Sequence, residues 1–566
     1  MTTWRKVGCC LAVAAGVPFS ASAKTCTWIN TTTATAQDWR EPTNWQDGQV
    51  PAAGDDVVFG AAAYVNLAGA DIGTITHTAG ALTIDTAGSV PWTNRGDIVT
   101  TGASVNFPFT ARLYLPEGEH MLSNTCSVTY MRDPSKKSSS GFTVTGAGAL
   151  TKMGKGGFLP DSLNLGDTWA PLYYSATGRV KILEGYIRSS GQNGHFRGPT
   201  EIVIDGYYSY FNIGCTSGNN SLNSDMTIWL LNEARILAYQ SGHSHAVKAL
   251  YVGEKQCAAG TWGSWSLNTD YKWVDVGSRG ASLTLNVAEG PAEGGFTGLG
   301  DSLWSGRTRH WIWAGGQTSS SDWGNSAKWQ DGKAARELDD IVIDTQVTFR
   351  NIPVEGFTWH DLTLSKDVQF GHYLPCTTGD IHLNGNTLTF NWQNKGLTLW
   401  KGSHVIDGGG SVLFDNASNE KGLQGSGDLV LRDSVSLTYK GSSYDMPFSG
   451  GITVESGSFV WDSSKSLSAC TNITVTGAGS TFWMKKGSIN PGICVAVEKG
   501  GKVKLANAVS NDIAHLHLDG RDRSPRTYGS SASLADRKLD AYFDKTTAGM
   551  FRVTDGPIPG LLLLVR

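Results

Sequence analysis

Apolar and polar positions alternate with a period of two over many short stretches of the chain. Residues 281–287 (ASLTLNV) and 515–518 (HLHL) show the pattern clearly. Each stretch lasts about four to six residues before glycine, Asn or Asp interrupts it, as expected for half-buried β-strands that end in tight turns. No segment shows a convincing 3.6-residue helical periodicity. The pattern therefore predicts an all-β protein.

One segment of this pattern is repeated 284 residues further along the chain. The sequence WQDG stands at 45–48 and again at 329–332, and paired aspartates follow at 55–56 and 339–340. The ends of the two halves, 249–263 and 515–529, also resemble each other. We call residues 38–58 and 322–342 the opening cassettes, and these two end segments the closing cassettes. The chain is predicted to be a tandem duplication.

The spacing of comparable strands, roughly 20–30 residues, is typical of a solenoid. A coil of that size cannot bury its own apolar row, whereas stacked coils can. We therefore predict two tandem right-handed parallel β-helices (solenoids), at residues 24–295 and 310–566, joined by a linker at 296–309. A set of β-sandwiches is the alternative, since sandwiches also have short strands and frequent turns. The long spacing and the scarcity of hairpin dipeptides favour the β-helices.

The opening cassettes have a predicted structural role. A β-helix leaves unpaired backbone and an apolar row at its open end, and atypical terminal segments usually cover such ends. We predict that each unit has an N-terminal Trp-rich capping cassette, with aspartates that accept hydrogen bonds from turn N–H groups. In the alternative interpretation, the tryptophans form a sugar-stacking platform. The predicted capping residues are Trp39, Trp45, Asp55, Asp56, Trp323, Trp329, Asp339 and Asp340.

Composition supports an ordered β protein and excludes one class of partner. The 566 residues include 70 Gly and 20 Trp, which indicates many turns and a packed core. Charged residues make up 17%, and the formal net charge is -4. This balance does not fit a nucleic-acid-binding surface, so no nucleic acid partner is predicted.

The N-terminus predicts export. Arg5 and Lys6 precede an apolar run at 7–19 and a small-x-small site at 21–23, which together indicate a signal peptide at residues 1–23. The run is too short to remain as a membrane anchor, and no transmembrane span is predicted. The mature protein is expected to be extracellular or at a bacterial cell surface. Its seven cysteines leave room for one or two disulfides, and most are interpreted as buried filler.

Several motifs resemble those of a known group of proteins. The motif G-x-G-x-L-x-K-x-G-x-G begins at Gly146, and an opening pattern of the form W…NW…G…P…GDDVVF precedes it. With the closing LHLDG…TYG, these look like the large exported β-helix proteins that carry autotransporter-associated β-strand repeats, abundant in Verrucomicrobia-like bacteria. The resemblance implies a secreted, passenger-type β-helix at the cell surface. It implies no activity.

Candidate chemistry is sparse. The Asn268–Asp270 segment and the aspartate pairs match only fragments of a polysaccharide-hydrolase pattern, and no nucleophile with an identifiable base is present. The histidine pairs at 243/245 and 515/517 would share one strand face each, but no third ligand is evident, so they are interpreted as surface histidines. We therefore predict no catalytic residues, cofactor or metal.

Two functional hypotheses remain from the sequence. The first is a non-catalytic adhesive or structural protein that binds polysaccharide or host-cell and other cell-surface glycans. The second is a carbohydrate-active β-helix enzyme, either a polysaccharide lyase or a glycoside hydrolase. Convergent carboxylates along one face would favour the enzyme, and a plain Ser, Thr and Asn face would favour adhesion.

Overall fold

The computed structural model describes residues 23–557 with internal gaps. The predicted signal peptide therefore lies outside the described residues except for Ala23, as do Cys126, Cys215 and Gly156. The gaps are 88–89, 109–110, 126, 132–141, 155–171, 190–194, 214–221, 239–242, 278–282, 319–321, 350–356, 372–374, 392–395, 416–421, 441–445 and 508.

The protein is all-β with mostly parallel sheets, and it divides into two compact units, residues 1–298 and 299–566. The division falls inside the segment predicted as a linker. That segment carries ordered contacts, since Phe296 packs on Trp262 and Trp273 in the first unit. Helical structure within the described ranges consists of three short 3-10 turns: Pro42–Asn44, Gly300–Ser302 and Ser326–Lys328.

The first unit has a main sheet and three smaller sheets. The main-sheet strands are Thr25–Trp28, Asp55–Phe59, Asp71–His77, Trp92–Asn94, Ile98–Thr100, Arg112–Leu115, Glu119–Asn124, Phe142–Gly146, Ala149–Met153, Leu172–Tyr174, Val180–Ile182, His195–Phe196, Glu201–Asp205, Thr227–Leu231, Ala249–Val252 and Lys255–Gln256. The smaller sheets contain Gln37–Asp38, Ala63–Asn66, Ala81–Asp85, Ser104–Pro108 and Ser127–Met131; Gly185–Ser189, Ser209–Ile213 and Arg235–Ala238; and His243–Val247, Leu283–Val287, Gly260–Gly263 and Tyr271–Lys272.

The second unit has two long sheets and three short ones. The longest contains Thr308–Trp311, Asp340–Ile343, Leu362–Leu364, Ile381–His382, Ser403–Asp407, Asp428–Leu431, Ile452–Val454, Asn472–Thr476, Cys494–Glu498, His515–Leu518 and Arg521–Asp522. The next contains Gly316–Gln317, Val347–Phe349, Val368–Phe370, Thr387–Phe390, Ser411–Phe414, Val435–Tyr439, Gly457–Trp461, Thr481–Met484 and Lys502–Leu505. The short sheets contain Thr358–Trp359, Cys376–Thr377, Leu397–Leu399 and Leu423–Gly425; Ser466–Leu467 and Ser488–Ile489; and Ser510–Ile513, Met550–Val553, Thr527–Gly529 and Arg537–Lys538.

The chain of the second unit visits its sheets in rotation, and we call one such passage a circuit. Up to the final hairpin, each strand of the longest sheet pairs in parallel with the strand of the next circuit. Asp361 and Asp380 stand at equivalent positions of two successive circuits, 19 residues apart in the sequence. Asp380 and Val405 stand at equivalent positions of the next two circuits, 25 residues apart. The rotation explains the alternation in the sequence, because every second side chain of a strand enters the core shared by successive circuits.

The core of the second unit contains a continuous aromatic stack. It begins at Phe349 and ends at Trp461, one ring from each of six successive strands of the second long sheet. Neighbouring centroids lie between 4.7 and 5.8 Å apart. Parallel, in-register pairing places like residues above one another, as with Phe370 and Phe390. The stack comprises Phe349, Phe370, Phe390, Phe414, Tyr439 and Trp461.

Paired antiparallel strands occur, within the described residues, only in the closing segments. Ala249–Val252 turns back on Lys255–Gln256, and His515–Leu518 turns back on Arg521–Asp522 in the same manner. Gly260–Gly263 also runs antiparallel to Leu283–Val287. The second unit repeats this with Thr527–Gly529 and Met550–Val553. The two closing cassettes thus share one topology as well as a sequence pattern.

The cysteines that the structure describes are all free thiols. Cys26, Cys257, Cys376 and Cys470 are buried, in agreement with their interpretation as core filler. Burial raises the pKa of Cys257 and of Cys470 to about 12, so both thiols stay protonated at neutral pH. A search of the described ranges for a helix with the length and apolarity to cross a bilayer finds none.

Candidate functional site

The two opening cassettes have the same three-dimensional arrangement. Trp28 and Trp45 form an antiparallel bridge with their rings 5.0 Å apart at 89°, and Trp311 and Trp329 do the same at 5.3 Å and 89°. The indole N–H of Trp45 donates to the carbonyl of Trp39 at 2.7 Å. In the second unit, Trp329 donates to the carbonyl of Trp323 at 2.9 Å. The sequence repeat therefore encodes a repeated structural device.

The cassette tryptophans lie inside the protein. Trp45, Trp323 and Trp329 expose 2%, 1% and 2% of their surface, and Trp39 is half-buried against the core of the first unit. Trp311 and Trp323 both pack edge-on against Phe349, the first ring of the aromatic stack, at 4.9 and 5.2 Å. Such burial excludes a sugar-stacking platform at the three enclosed tryptophans, since sugars stack on exposed rings.

The aspartate pairs bind backbone N–H groups. Asp55 accepts from the backbone of Lys24 at 2.9 Å and Ala52 at 2.8 Å, and Asp56 accepts from Thr74 at 2.6 Å. In the second unit, Asp339 accepts from the backbone of Arg336 at 3.0 Å, the equivalent of Ala52. Asp340 accepts from the backbone of Asp361 at 3.3 Å, as Asp56 does from Thr74. Each pair joins its turn to the next strand.

Asp339 also holds a buried ionic network without a counterpart at Asp55. Its carboxylate is wholly enclosed and accepts from Ser305 Oγ at 2.7 Å, from Arg307 Nε at 2.9 Å and from Arg309 Nε at 3.2 Å. Both arginine side chains are largely buried, at 12% and 5% exposure. All three donors come from segments 30 to 34 residues before Asp339 in the chain. Sequence reasoning missed this network because it assigned these donors to a linker.

Asp340 takes part in a cluster with His360 and Asp361. His360 Nδ1 lies 2.8 Å from Asp340 Oδ1 and 3.4 Å from Asp361 Oδ1. Burial by itself would lower the pKa of His360, but the hydrogen bond to Asp340 and the nearby carboxylates raise it above its ordinary value. Burial raises the pKa of Asp361. Asp361 Oδ1 also accepts a hydrogen bond from the backbone N–H of Asp380 at 2.7 Å, so the cluster helps to hold successive circuits together.

The glycine-rich motif that carries the family resemblance forms two strands with a buried lysine. Lys152 is fully enclosed, and its ammonium donates to the carbonyls of Met153 and Gly154 at 2.7 Å each and of Glu184 at 3.2 Å. Gly146 has φ +113, and a Cβ there would lie 1.9 Å from the carbonyl oxygen of Leu115. Close backbone packing therefore requires glycine at this position. Lys152 and Gly146 therefore both have structural roles in this motif.

The first histidine pair lies on one strand, as predicted, but His245 is not a surface residue. It is completely buried within strand His243–Val247 and pairs in register with Leu285. Burial, together with the nearby His243, lowers the pKa of His245 to about 4. The surface interpretation was wrong for His245 because alternation alone does not show which strand face points inward.

The first unit is therefore expected to lose stability in mild acid. His245 is neutral in the folded state down to about pH 4, whereas in the unfolded chain it takes up a proton near pH 6.5. Between these values the unfolded state binds more protons, so stability falls by roughly 1.4 kcal/mol per pH unit, on the order of 3 kcal/mol in all. Denaturant unfolding at several pH values should show this slope in the wild type and lose it in H245N. If the wild type and H245N lost stability equally per pH unit, the acid sensitivity would not come from His245.

Aromatic side chains also stack on the outward face of the first unit's main sheet. Trp229 and Tyr251 lie on neighbouring parallel strands with ring centroids 3.7 Å apart and planes at 14°. Both are half-buried. On the strand at the other side of Trp229, the residue in register is the smaller Val203. Lys181 is in register with Val203 on the strand beyond. The second face of the indole therefore stands beside a short side chain.

Two groups of described residues bring three metal-binding atoms within 4.8 Å of one another. One is the Asp340, His360 and Asp361 cluster, whose carboxylates also bind backbone N–H groups. The other consists of the second histidine pair, His515 and His517, with Asp522. The sequence interpretation had found no third ligand for this pair, and the fold supplies one.

Comparison with protein-family models, with curated proteins and with solved structures gives no match to this chain. Its function is therefore inferred from its own residues.

Proposed function

We propose that this protein is an exported, non-catalytic surface or extracellular protein that binds glycans through the outward face of its first unit. In this proposal, each unit is a right-handed parallel β-helix whose coils are the circuits described above. The tryptophans of the opening cassettes close the N-terminal end of each β-helix. Parallel in-register pairing at 19 to 25 residues supports the β-helices, and the contact of Trp311 and Trp323 with Phe349 supports the capping role.

The observation that carries glycan binding is the outward Trp229–Tyr251 pair. Half-buried aromatic rings on the outward face of a sheet offer rigid apolar surface for the C–H faces of sugar rings. The neighbouring position beside the indole carries only the short side chain of Val203, and Lys181 adds a positive charge two strands away. A long polysaccharide could follow such a face over several strands, as suits an extended solenoid surface.

Adhesion accounts better than catalysis for the carboxylates described above. Those of Asp340, Asp361 and Asp380 each accept a backbone N–H from the next circuit. A general acid or base must instead reach a substrate. Asp270, part of the enzyme-like fragment in the sequence, is likewise bound to the backbone N–H and hydroxyl of Thr261 at 2.9 and 2.7 Å. The aspartates that suggested a hydrolase thus hold turns and strands together.

Binding of the mature protein to a panel of insoluble and arrayed polysaccharides tests the proposal. We expect retention on at least one polysaccharide, and a loss of affinity of roughly tenfold or more in W229A/Y251A, because an aromatic anchor typically contributes over 1 kcal/mol. The matched control is W483A, which removes a half-buried, outward-facing tryptophan of the second unit.

Two results would contradict the proposed function. Equal retention of W229A/Y251A and the wild type would remove Trp229 and Tyr251 from the binding surface. Release of new reducing ends or of unsaturated products during incubation would show that the protein is a carbohydrate-active enzyme.

A further inference from the structure

The hairpin that follows the last circuit of the second unit places three metal-binding side chains together. His515 and His517 project from the outer face of strand His515–Leu518, while the alternate residues Leu516 and Leu518 are fully buried. The chain then reverses at Asp519 and Gly520, which both have positive φ, of 46 and 72. The antiparallel return pairs Asp522 directly with His517. All three side chains are half-buried.

We propose that this hairpin binds one zinc ion through His515, His517 and Asp522. Two imidazoles and a carboxylate are ordinary zinc ligands, each at about 2.0–2.2 Å from the metal. Ligand atoms around a tetrahedral ion lie about 3.3 Å apart, by simple geometry from those bond lengths. The three side chains offer atoms within 4.8 Å of one another, and His515 Nδ1 is already 3.2 Å from Asp522 Oδ2. Small side-chain rotations therefore complete the site.

Neighbouring groups prepare the hairpin for a cation. The backbone N–H of Arg523 donates to Asp522 Oδ1 at 2.9 Å, which orients the carboxylate and leaves its other oxygen for the metal. Cys494 pairs in register with His515 on the preceding strand. Both residues are half-buried, so their side chains lie next to each other on the outer face of the sheet.

The first unit shows that the hairpin does not need these residues in order to fold. Its hairpin has the same antiparallel register, with Tyr251 opposite Gln256 and Val252 opposite Lys255. Ala249, Tyr251 and Gln256 stand where the second unit has His515, His517 and Asp522. Thr227 pairs with Ala249 in the place that Cys494 occupies. Packing therefore explains the hairpin in both units, but it does not explain the ligand set that only the second unit carries.

The duplication supplies a variant in which the hairpin should remain folded. H515A/H517Y/D522Q gives the second hairpin the residues of the first, and it should melt like the wild type in the presence of EDTA. We expect the metal-stripped wild type to bind one Zn²⁺ in calorimetric titration, and the variant to bind it at least about tenfold more weakly. Co²⁺ in the wild type should give the intense visible bands of a tetrahedral site, and the variant should lack them.

A second histidine–aspartate pair provides the control. His382 Nδ1 lies 2.7 Å from Asp407 Oδ1 on the same long sheet, but it has no second histidine beside it on its two-residue strand. H382A should leave Zn²⁺ affinity and stoichiometry unchanged. The proposal is overturned if the wild type binds Zn²⁺ no better than the triple variant, or if H382A weakens binding as much. Should the triple variant melt early in EDTA, H517Y alone replaces it in the same comparison.

Discussion

Replacing Asp339 with alanine is expected to lower the free energy of unfolding of the second unit by about 3–5 kcal/mol. Asp339 is fully buried between Arg307 and Arg309, whose guanidinium groups would lose their shared counter-charge. Removing one member of a buried ion pair leaves the other charges desolvated and without that counter-charge, which is why the loss exceeds that of a surface pair. Unfolding of the whole protein in guanidinium chloride, monitored by circular dichroism, measures this loss of unfolding free energy.

The first unit contains the matched control for this substitution. Asp55 occupies the equivalent position but accepts hydrogen bonds from the backbone of Lys24 and Ala52 instead of from buried arginines. D55A should therefore lose only about 1–2 kcal/mol, the net value of two ordinary hydrogen bonds. Equal losses in D339A and D55A would show that the arginine network adds nothing beyond the turn hydrogen bonds.

W329A is expected to destabilise the second unit by about 3–5 kcal/mol, the usual loss for truncating a large buried aromatic side chain. Trp329 packs edge-on against Trp311 at 5.3 Å and Trp323 at 5.1 Å, and these two rings rest on Phe349. If the tryptophans close the end of a β-helix, the cavity that the truncated side chain leaves also exposes apolar surface to other molecules. Denaturant unfolding measures the first effect, and size-exclusion chromatography measures association.

The comparison for W329A is W483A, because Trp483 faces outward between Lys485 and Lys504, with cation–ring distances of 4.3 and 4.5 Å. W483A should lose about 1 kcal/mol or less, the range of exposed cation–π pairs. The capping role would be disproved if the W329A protein stayed monomeric and unfolded at the same denaturant concentration as the W483A protein. W45A, at the equivalent position, should affect the first unit in the same direction as W329A affects the second.

The sequence predicts local features of this fold well, because they depend on neighbouring residues. Alternation predicts the strands, and the repeat anticipates that Trp45 and Trp329 occupy the same environment. The contacts of Arg307 and Arg309 with Asp339 depend on the pairing of two strands that lie about 30 residues apart in the sequence. Alternation does not specify which strands pair. These arginines were therefore assigned to a linker.

The histidines show the same division between local and long-range information. The first pair lies on a strand as predicted, but the inward orientation of His245 depends on the pairing of its strand with the distant strand Leu283–Val287. The position of Asp522 beside the histidines had a local signal that went unused: Asp519–Gly520 is a dipeptide typical of two-residue hairpins. That signal, applied to the closing cassette, would have placed Asp522 opposite His517.

The aromatic stack from Phe349 to Trp461 has a consequence for how the second unit can change in evolution. Each ring is contributed by a different circuit, so inserting one whole circuit lengthens the column and deleting one shortens it, without disturbing its remaining members. A change of one or two residues within a circuit would instead shift the strand register and turn apolar side chains toward water. Variation in length should thus accumulate in whole-circuit steps, with loops between strands absorbing the small differences.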